Sequence, residues 1–427
     1  MATTELLPLY DTIAQCNRCG FCQAGCPVYR VTGEEHSLAR GRQAIARSLI
    51  LGNLELTSEV FQALEDCLLC RGCTAHCFPG IKTDEIVTAM RHAYITRNGQ
   101  PALQRILFRT VLADSKKLET AARMALWAKR HGLAAAAEKT GLLNLVDKRL
   151  QVANQVVPTA SAKPFARGER AHAPRPEKVK HRVGYFASCG FSFQFPEVAE
   201  ATLRVLARNG CEITMLDNTC CGRPAHSYGD VDAARDIARK NVDRLAGAMG
   251  LDAIVSECGS CSTFLKEYGN LLKGDPLYAD KAAALSGKVR SFSEFLVAAG
   301  ANGSLGTLSG TVTYHDPCHL SNRFAKITAQ PRKLLKSIPG MTYKELPEAD
   351  WCCGAAGSYT FLHHTEASGV LDRKMSNVEK TGAGTLATEC PACMMHLGYG
   401  ARKKGLPVKV RHVSQILDEA YEAGKAT

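Results

Sequence analysis

Hydrophobic positions follow two different rhythms along this 427-residue chain. Before residue 180 they recur at intervals of three and four residues, which is the spacing of an amphipathic helix. Beyond residue 180, short apolar runs typical of strands alternate with helical stretches. The first rhythm predicts helices over 40–51, 58–64, 84–95, 103–112, 118–129 and 133–150.

The second rhythm occurs twice in the same order. Strands are predicted over 182–187, 212–216 and 253–256, and again over 311–315, 341–346 and 385–388, with helices over 196–208, 232–249, 331–337 and 368–381 between them. Alternation of strand and helix favours parallel sheets. The predicted fold class is therefore α + α/β: a helical domain followed by a duplicated α/β module.

Domain boundaries follow from these changes of pattern. A basic stretch with Pro158, Pro164, Pro174 and Pro176 is typical of an extended linker. We predict a helical domain over 1–98, a basic helical segment with the linker over 99–180, a first α/β module over 181–305 and a second over 306–427.

Composition adds one informative number, the 19 cysteines. The chain shows no signal-peptide pattern and no apolar run of membrane-spanning length, so we expect a cytoplasmic protein. In a reducing compartment such cysteines indicate metal or redox chemistry rather than a disulfide framework.

The first cysteine motif has three thiols at x2 spacing and a fourth after three more residues. It runs from Cys16 to Cys26 and is repeated from Cys67 to Cys77. In two-cluster ferredoxins the fourth cysteine of each run ligates the other 4Fe-4S cluster. The same pattern assigns Cys16, Cys19, Cys22 and Cys77 to one cluster and Cys67, Cys70, Cys73 and Cys26 to the other. The helical domain is therefore predicted to be a ferredoxin-like domain with two clusters. The alternative is a pair of zinc sites, although zinc sites use pairs of cysteines.

The second cysteine motif occurs once in each α/β module. The first copy contains Cys189, Cys220, Cys221, Cys258 and Cys261, and the second contains Cys318, Cys352, Cys353, Cys390 and Cys393. In both copies 35 residues separate the glycine of Cys-Cys-Gly from the closing Cys-x2-Cys. We expect Gly222 and Gly354 where the backbone passes close to metal or sulfide, because a Cβ would clash there. Five thiols can hold a cluster of unusual geometry, and structural zinc is the alternative.

A double cysteine run followed by two Cys-Cys-Gly modules resembles the iron–sulfur oxidoreductase family that includes the D subunit of heterodisulfide reductase. The C subunit of anaerobic glycerol-3-phosphate dehydrogenase and the iron–sulfur subunit of glycolate oxidase belong to the same family. The likeness is greatest to the last, through Cys16–Pro27, Arg40–Arg42, 264–281 and 371–377. The resemblance implies two 4Fe-4S clusters in the helical part and one or two further 4Fe-4S clusters, non-cubane in heterodisulfide reductases, in the Cys-Cys-Gly modules.

No dinucleotide fingerprint is present, since the glycines around 303–310 and 382–384 are too irregular. A hydride acceptor must therefore lie on another chain. The expected function is electron transfer from a partner FAD-binding hydroxyacid dehydrogenase, for glycolate or D-lactate, to a quinone or another acceptor, with no catalytic residue needed here. The alternatives are disulfide reduction at a non-cubane cluster, a glycerol-3-phosphate dehydrogenase C-type subunit, and an electron carrier that only docks partners.

Charge is concentrated in one segment. Residues 91–182 hold 19 Lys and Arg against 6 Asp and Glu, whereas the formal charge of the whole chain is +12. Basic helices with Leu103, Ile106, Leu107 and Val111 at helical spacing suit an anionic membrane surface, so peripheral contact with the inner face of the cell membrane is one expectation. Solvated helices covering the cluster domain are the alternative, and nucleic acid is the least favoured partner because reading modules are missing.

Residues near the cysteines carry open alternatives. His315 and His319 flank Cys318 and either tune a cluster through hydrogen bonds to sulfur or are satisfied within their loop. His76 and His226 are weaker candidates of the same kind. Cys211 lies outside both motifs and is predicted to be a small buried hydrophobe.

Overall fold

Before residue 158 the part of the chain that the computed structural model describes consists of helices joined by loops, without strands. The described residues are 3–133, 136–137, 148–157, 164–165, 175–301, 305–321 and 323–425. The α-helices of this part are Tyr10–Ala14, Cys22–Gly25, Tyr29–Thr32, Ala39–Ile50, Ser58–Glu65, Gly72–Ala75, Thr83–Asn98, Ala102–Ile106, Ser115–Arg130 and Lys148–Val156, with 3-10 turns at Thr4–Leu9 and Glu35–Ser37 and a π turn at Leu107–Val111.

Local sequence explains where these helices begin and how they pack. The Thr57 hydroxyl accepts a hydrogen bond from the Val60 N–H, and the Asp114 carboxylate accepts two, from Lys116 and Lys117. These caps satisfy N–H groups that have no partner within their helices. Leu49, Val87 and Met90 are fully buried, so the two longest helices of the first hundred residues share one apolar core.

Two four-stranded parallel sheets follow. The first contains β1 (His181–Tyr185), β2 (Cys211–Met215), β3 (Ala253–Ser256) and β4 (Val289–Ser291), in the order β2-β1-β3-β4. The second contains β5 (Gly310–Tyr314), β6 (Met341–Tyr343), β7 (Thr385–Thr388) and β8 (Lys409–His412), in the order β6-β5-β7-β8. Identical strand orders show that the two α/β modules are copies of one topology, as predicted.

Helices cover both faces of each sheet. The first module has α-helices Cys189–Gln194, Pro196–Arg208, Arg223–Ser227, Val231–Arg244, Gly259–Lys266, Tyr268–Leu271, Ala279–Lys288 and Phe292–Ala298, with a 3-10 turn at Ala246–Gly250. The second module has Ala329–Lys336, Tyr359–Leu362, His364–Thr381, Pro391–Lys404 and Val413–Ala423. Since both faces are covered, the central strands β1, β3, β5 and β7 are buried in consecutive positions.

The two modules pack through reciprocal contacts. The first long helix of module one, Pro196–Arg208, lies against the last helix of module two, Val413–Ala423. Likewise Phe292–Ala298, the last helix of module one, lies against Ala329–Lys336. Tyr185 and Tyr314 are fully buried in the core that results, so the sheets share one hydrophobic core.

The helical and parallel-sheet content is confirmed, with several differences in detail. The helices that were not predicted include Gly259–Lys266, Ala279–Lys288, Phe292–Ala298, Pro391–Lys404 and Val413–Ala423. The strand predicted over 341–346 ends at Tyr343, and the helix predicted from 368 begins at His364. The fourth strand of each sheet was not predicted, because β4 and β8 are short edge strands with charged residues. Most of the helix predicted over 133–150 and of the linker over 158–180 lies outside the described residues.

Candidate metal centres

The two N-terminal cysteine runs meet where two short helices cross. Gly25 ends the helix in the first run and Gly72 begins the helix in the second. A Cβ on Gly25 would lie 2.3 Å from the Gly72 carbonyl oxygen, and one on Gly72 would lie 2.2 Å from the Gly25 carbonyl oxygen. Only glycine permits this contact. It brings together the two cysteine runs, whose corresponding cysteines are 51 residues apart in the sequence.

Two cavities lie on either side of this crossing. The larger, of about 270 Å³, is lined by Cys16, Cys19, Cys22, Cys73 and Cys77. The smaller, of about 20 Å³, is lined by Cys26, Cys67, Cys70 and Cys73. Cys77 and Cys26 therefore each join the cavity of the opposite run, which is the juxtaposition that cross-ligation of two clusters requires.

The loops that carry these cysteines hold an unusual backbone. Arg18 and Gly20 around Cys19 have φ of 55° and 83°, and Leu69 and Arg71 around Cys70 have φ of 52° and 57°. Left-handed non-glycine residues cost of order 1 kcal/mol each and persist where the surroundings require them. Alternation of this kind forms concavities of backbone N–H groups that bind anions, so both loops fit an anionic metal–sulfur group.

A buried arginine supplies charge to the smaller cavity. Arg42 is 2% exposed, and its Nε and Nη2 atoms are buried without a hydrogen-bond partner. Its guanidinium lies near Cys67, Cys26 and Cys73. Burial raises the pKa of the Cys26 and Cys73 thiols, which are therefore neutral when no metal is bound. An anionic cluster on these sulfurs would compensate the orphan cation, so the donor set fits an iron–sulfur group.

In the second module all five motif cysteines are brought together. The sulfur of Cys353 lies 3.3 Å from that of Cys393. Cys352 is within hydrogen-bonding reach of Cys318 and Cys353, and Cys390 is within reach of Cys393. Hydrogen bonds from Cys352 and Cys393 hold the pKa of the Cys353 thiol well below its usual value. A thiol that ionises readily suits metal binding.

The first module repeats this arrangement. Contacts link Cys189 to Cys220, Cys221 to Cys261 and Cys261 to Cys258. Hydrogen bonds from Cys220 and Cys261 lower the pKa of the Cys221 thiol to about 5. Both modules thus offer a compact set of thiols, mostly buried, at the carboxyl ends of their strands.

The three regions form one connected array. Cys70 of the helical region is within hydrogen-bonding reach of Cys352 in the second module. Cys390 of the second module lies near Cys258 of the first, and the Ser260 hydroxyl is 3.6 Å from the Cys390 sulfur. One cavity of about 480 Å³ is lined by Cys67 and by cysteines of both modules. Within this array, cysteines of the second module contact cysteines of both the helical region and the first module.

The two Cys-Cys-Gly glycines have N–H groups 3.5 and 3.4 Å from the sulfurs of Cys220 and Cys352, and their approach to a metal or sulfide stays a prediction. Gly222 and Gly354 have φ of 90° and 84°, a left-handed conformation that other residues rarely adopt. A Cβ on Gly354 would also lie 2.7 Å from the Ala367 carbonyl oxygen. The left-handed backbone favours glycine at both positions. At Gly354 the close carbonyl group of a neighbouring helix also leaves no room for a side chain.

The candidate histidines separate into different environments. His319 is satisfied, because its ring nitrogens lie 2.8 Å from Arg223 Nη2 and 2.8 Å from Ser260 Oγ. His315 is fully buried, and neither ring nitrogen is paired with a nitrogen or oxygen atom. His226 is half-buried beside Phe264, and desolvation lowers its pKa to about 3. His76 is exposed at the edge of the larger N-terminal cavity.

Sequence reasoning missed several polar residues of these sites. Arg42 and Arg323 are buried cations beside cysteines, and His396 is fully buried with Nδ1 2.9 Å from the Cys353 carbonyl oxygen. The spacing Cys393-x2-His396 was a usable signal, whereas the arginines approach the cysteines only through tertiary packing. Cys211 is fully buried in the shared core, as predicted.

Two helical cysteine runs followed by paired Cys-Cys-Gly modules define an iron–sulfur protein with multiple clusters. Family models agree: the 4Fe-4S dicluster domain matches residues 12–81, and the Cysteine-rich domain (CCG) matches 183–266 and 312–398. The model for the linker region of the glycolate oxidase iron-sulfur subunit matches 99–157. Among the described residues, none of the helices combines the length and apolar character that crossing a bilayer requires.

The chain belongs to the family of glycolate oxidase iron–sulfur subunits. It is 32% identical to the probable glycolate oxidase iron-sulfur subunit of Bacillus subtilis (strain 168), over 96% of this chain and 94% of that protein. It is 28% identical to the glycolate oxidase iron-sulfur subunit of Escherichia coli (strain K12), over 95% of this chain and 94% of that one. Lactate utilization protein A of Geobacillus sp. (strain WCH70) is 33% identical over 56% of this chain and 99% of its own length.

Proposed function

We propose that this chain is the electron-transfer subunit of a flavin-dependent dehydrogenase of glycolate or D-lactate. A partner FAD-binding subunit would remove the hydride from the hydroxyacid, and this chain would pass the electrons on to a quinone. The observation that carries the proposal is the continuous array of cysteines from Cys16 to Cys261, linked by the Cys70–Cys352 and Cys390–Cys258 contacts. Bound clusters would supply one-electron steps along this array.

The ligand assignments are part of the proposal. One cluster would be held by Cys16, Cys19, Cys22 and Cys77, and another by Cys67, Cys70, Cys73 and Cys26. The modules would hold theirs through Cys189, Cys220, Cys221, Cys258 and Cys261, and through Cys318, Cys352, Cys353, Cys390 and Cys393. The cavity linings and sulfur contacts support this grouping, in which residues 1–98 and the two modules each carry clusters.

Protein charges would compensate the bound groups. Arg323 is buried near Cys70, Cys352 and Cys318, and its Nε and Nη1 atoms have no hydrogen-bond partner. Its remaining nitrogen, Nη2, donates to Asp350 at 3.1 Å. A fixed cation between two sulfur sets stabilises an added electron on either one, so Arg323 suits the junction between the helical region and the second module.

A cleft beside the second cysteine run is our candidate for the quinone. It measures about 860 Å³ and is lined by Val60, Phe61 and Leu362, with His36, Asp66 and His363 at its polar side. Asp66 directly precedes Cys67, and its carboxylate lies 3.4 Å from His36 Nε2 and 3.3 Å from His363 Nδ1. Apolar walls with a few convergent polar groups are typical of small-molecule sites.

The helix Ala102–Ile106 borders this cleft and also carries exposed apolar side chains. Gln104 lines the cleft, whereas Leu103 and Ile106 on the same helix are 79% and 54% exposed. Exposed apolar side chains beside basic residues bind anionic lipid surfaces. We propose that this helix rests on the membrane and that a lipid-soluble quinone enters the cleft there.

The membrane contact is tested by flotation of the chain with phosphatidylglycerol vesicles. The double change Leu103→Glu and Ile106→Glu should abolish binding, whereas Leu277→Glu, at another exposed apolar position, should leave it unchanged. Equal binding of all three proteins would reject the proposal for this helix.

The function itself is tested on the native complex, purified without oxygen. Glycolate or D-lactate should reduce the clusters of this chain, as seen by EPR, only when the flavin subunit is present, and quinone should reoxidise them. Clusters that stay oxidised with every hydroxyacid tested would contradict the assignment.

Disulfide reduction is the second candidate, favoured by one observation. The cavity of about 480 Å³ between the modules reaches the cysteines of both and has apolar walls such as Leu107 and Phe361. A disulfide bound there would take two electrons and two protons to give two thiols. Thiol release from a disulfide by the reduced protein, with no quinone reduction, would favour this candidate over the first.

A further inference from the structure

The two modules differ at matched positions around their cysteines. Tyr185 and Tyr314 end the first strand of each module, and each lies four residues before the first motif cysteine. The next residue is Phe186 in module one and His315 in module two, and both are fully buried. Three residues beyond the last motif cysteine, module one has Phe264 and module two has His396. Two buried aromatic hydrocarbons are thus matched by two buried imidazoles.

The position of His315 is fixed while its ring nitrogens are left without a nitrogen or oxygen partner. Its backbone N–H donates to the Ala387 carbonyl oxygen at 2.9 Å, which holds the residue at the end of the strand. A ring nitrogen of His315 and the sulfurs of Cys353 and Cys393 all lie within 4.8 Å of one another. Neither ring nitrogen is paired with a nitrogen or oxygen atom, although the side chain is fully buried, and the Cys353 sulfur is within weak hydrogen-bonding reach of the ring. Burying an imidazole costs free energy unless a partner accepts a hydrogen bond from its N–H, or donates one or binds as a metal to its other nitrogen.

His396 adds a second nitrogen on the same side. Its Nδ1 pairs with the Cys353 carbonyl oxygen, and its Nε2 is buried without a partner. An imidazole with one nitrogen bound to a backbone carbonyl and the other free is typical of residues that contact a metal group. In the first module the matched Phe264 packs against His226 with ring centroids 5.1 Å apart, which leaves a hydrocarbon face there.

We propose that His315 contacts the metal group of the second module through a ring nitrogen, and that this module is therefore the more easily reduced of the two. Donation of an N–H to sulfur and ligation by neutral nitrogen both lower the negative charge on a cluster, and both raise its potential. Cysteines of the second module also contact cysteines of both the helical region and the first module. Electrons that enter the array would collect at this junction.

The test uses the full chain labelled with ¹⁵N-histidine, with iron counted before each measurement. Pulsed EPR of the reduced second-module signal should show a histidine nitrogen coupling, strong for a ligand and weak for a hydrogen bond. His315→Phe, which gives module two the residue of module one, should remove that coupling and lower the midpoint potential of the signal. His226→Phe, a matched change of a half-buried histidine in module one, should leave both unchanged.

This inference rests on the proposed function, because it needs a cluster in module two. The possible results tell the two apart. Full iron content with no histidine coupling, or with an unchanged midpoint in His315→Phe, would overturn the inference alone. Zinc in place of iron in module two would overturn the cluster assignment as well. His315→Asn keeps an N–H donor and should retain the wild-type midpoint if the contact is a hydrogen bond, and should lower it if the contact is a ligand bond.

Discussion

At the scale of single residues, buried charge is the clearest mark of function in this chain. Arg42 and Arg323 are nearly inaccessible, and both have guanidinium nitrogens without hydrogen-bond partners. A buried cation is strongly destabilising unless anions compensate it, and here Arg323 has only Asp350 as a bonded carboxylate while Asp66 lies near Arg42. The sequence could not reveal this role, because nothing in the spacing of either arginine distinguishes it from a surface residue.

Replacing Arg42 with Leu should lower the midpoint potential of the cluster assigned to Cys67, Cys70, Cys73 and Cys26. Loss of the cation makes an added electron less favourable, by several kcal/mol in a buried site and less where water enters. EPR-monitored titration measures the change. Arg47→Leu alters an exposed position of the same helix and should have no effect. Equal midpoints in the two variants would contradict the role given to Arg42.

His412 is the residue through which we expect stability to depend on pH. Burial lowers its pKa to about 3 from an ordinary value of 6.5, and its neutral Nε2 pairs with the Glu257 carbonyl oxygen of the other module at 3.0 Å. The stabilisation is complete above about pH 6.5 and is lost as the pH falls towards 3, at about 1.4 kcal/mol per pH unit. Chemical denaturation at pH 7 and 5.5 should show a smaller loss for His412→Gln than for the wild type; equal losses would contradict this.

At the scale of elements, the predictions succeeded for some helices and strands and failed for others. The central strands and long helices such as Pro196–Arg208 and His364–Thr381 were predicted, whereas Pro391–Lys404 and Val413–Ala423 were not. The edge strands β4 and β8 were not predicted either, because Val-Arg-Ser and Lys-Val-Arg-His become strands only by pairing with β3 and β7. The grouping of cysteines followed from spacing, whereas the contact between Cys70 and Cys352 depends on how whole elements dock.

The crossing of the helices Cys22–Gly25 and Gly72–Ala75 leads to a prediction at this scale. Gly72→Ala would place a methyl group against the Gly25 carbonyl oxygen, so the helices must separate. We expect a loss of about 1–3 kcal/mol in the free energy of unfolding. Iron should also be lost from both N-terminal sites, because each site takes three cysteines from one run and the fourth from the other run. Gly287→Ala, where nothing lies within 4 Å, is the control for iron content and melting temperature; iron retained in Gly72→Ala would contradict the crossing.

At the scale of the whole molecule, Arg91 is a buried contact between the helical region and the first module, beside those that His92 and Arg109 make. Arg91 donates hydrogen bonds to the carbonyl oxygens of Leu64, Cys67 and Ser227, at 2.6, 3.0 and 2.6 Å. Gly229 packs against the same residue, with a hypothetical Cβ 2.6 Å from Arg91 Cβ. These contacts hold the second cysteine run against the shared cavity.

Arg91→Met should therefore uncouple the helical region from the modules. Three buried carbonyl groups would lose a partner, at a cost of about 1–3 kcal/mol each. Calorimetry should show a lower melting temperature or an earlier separate transition, whereas Arg97→Met, which removes the exposed pair with Glu5, should behave as the wild type. A single unchanged transition in Arg91→Met would show that other contacts suffice.

The reciprocal packing of the two modules is like that of a symmetric dimer whose two subunits are joined in one chain. In a dimer of identical subunits, any substitution appears in both sites at once, so a change that helps one site burdens the other. Covalent duplication removes that constraint, because a histidine can replace a phenylalanine in one copy while the interface stays the same. Fusion of two copies thus opens a route from two equal sites to two specialised ones.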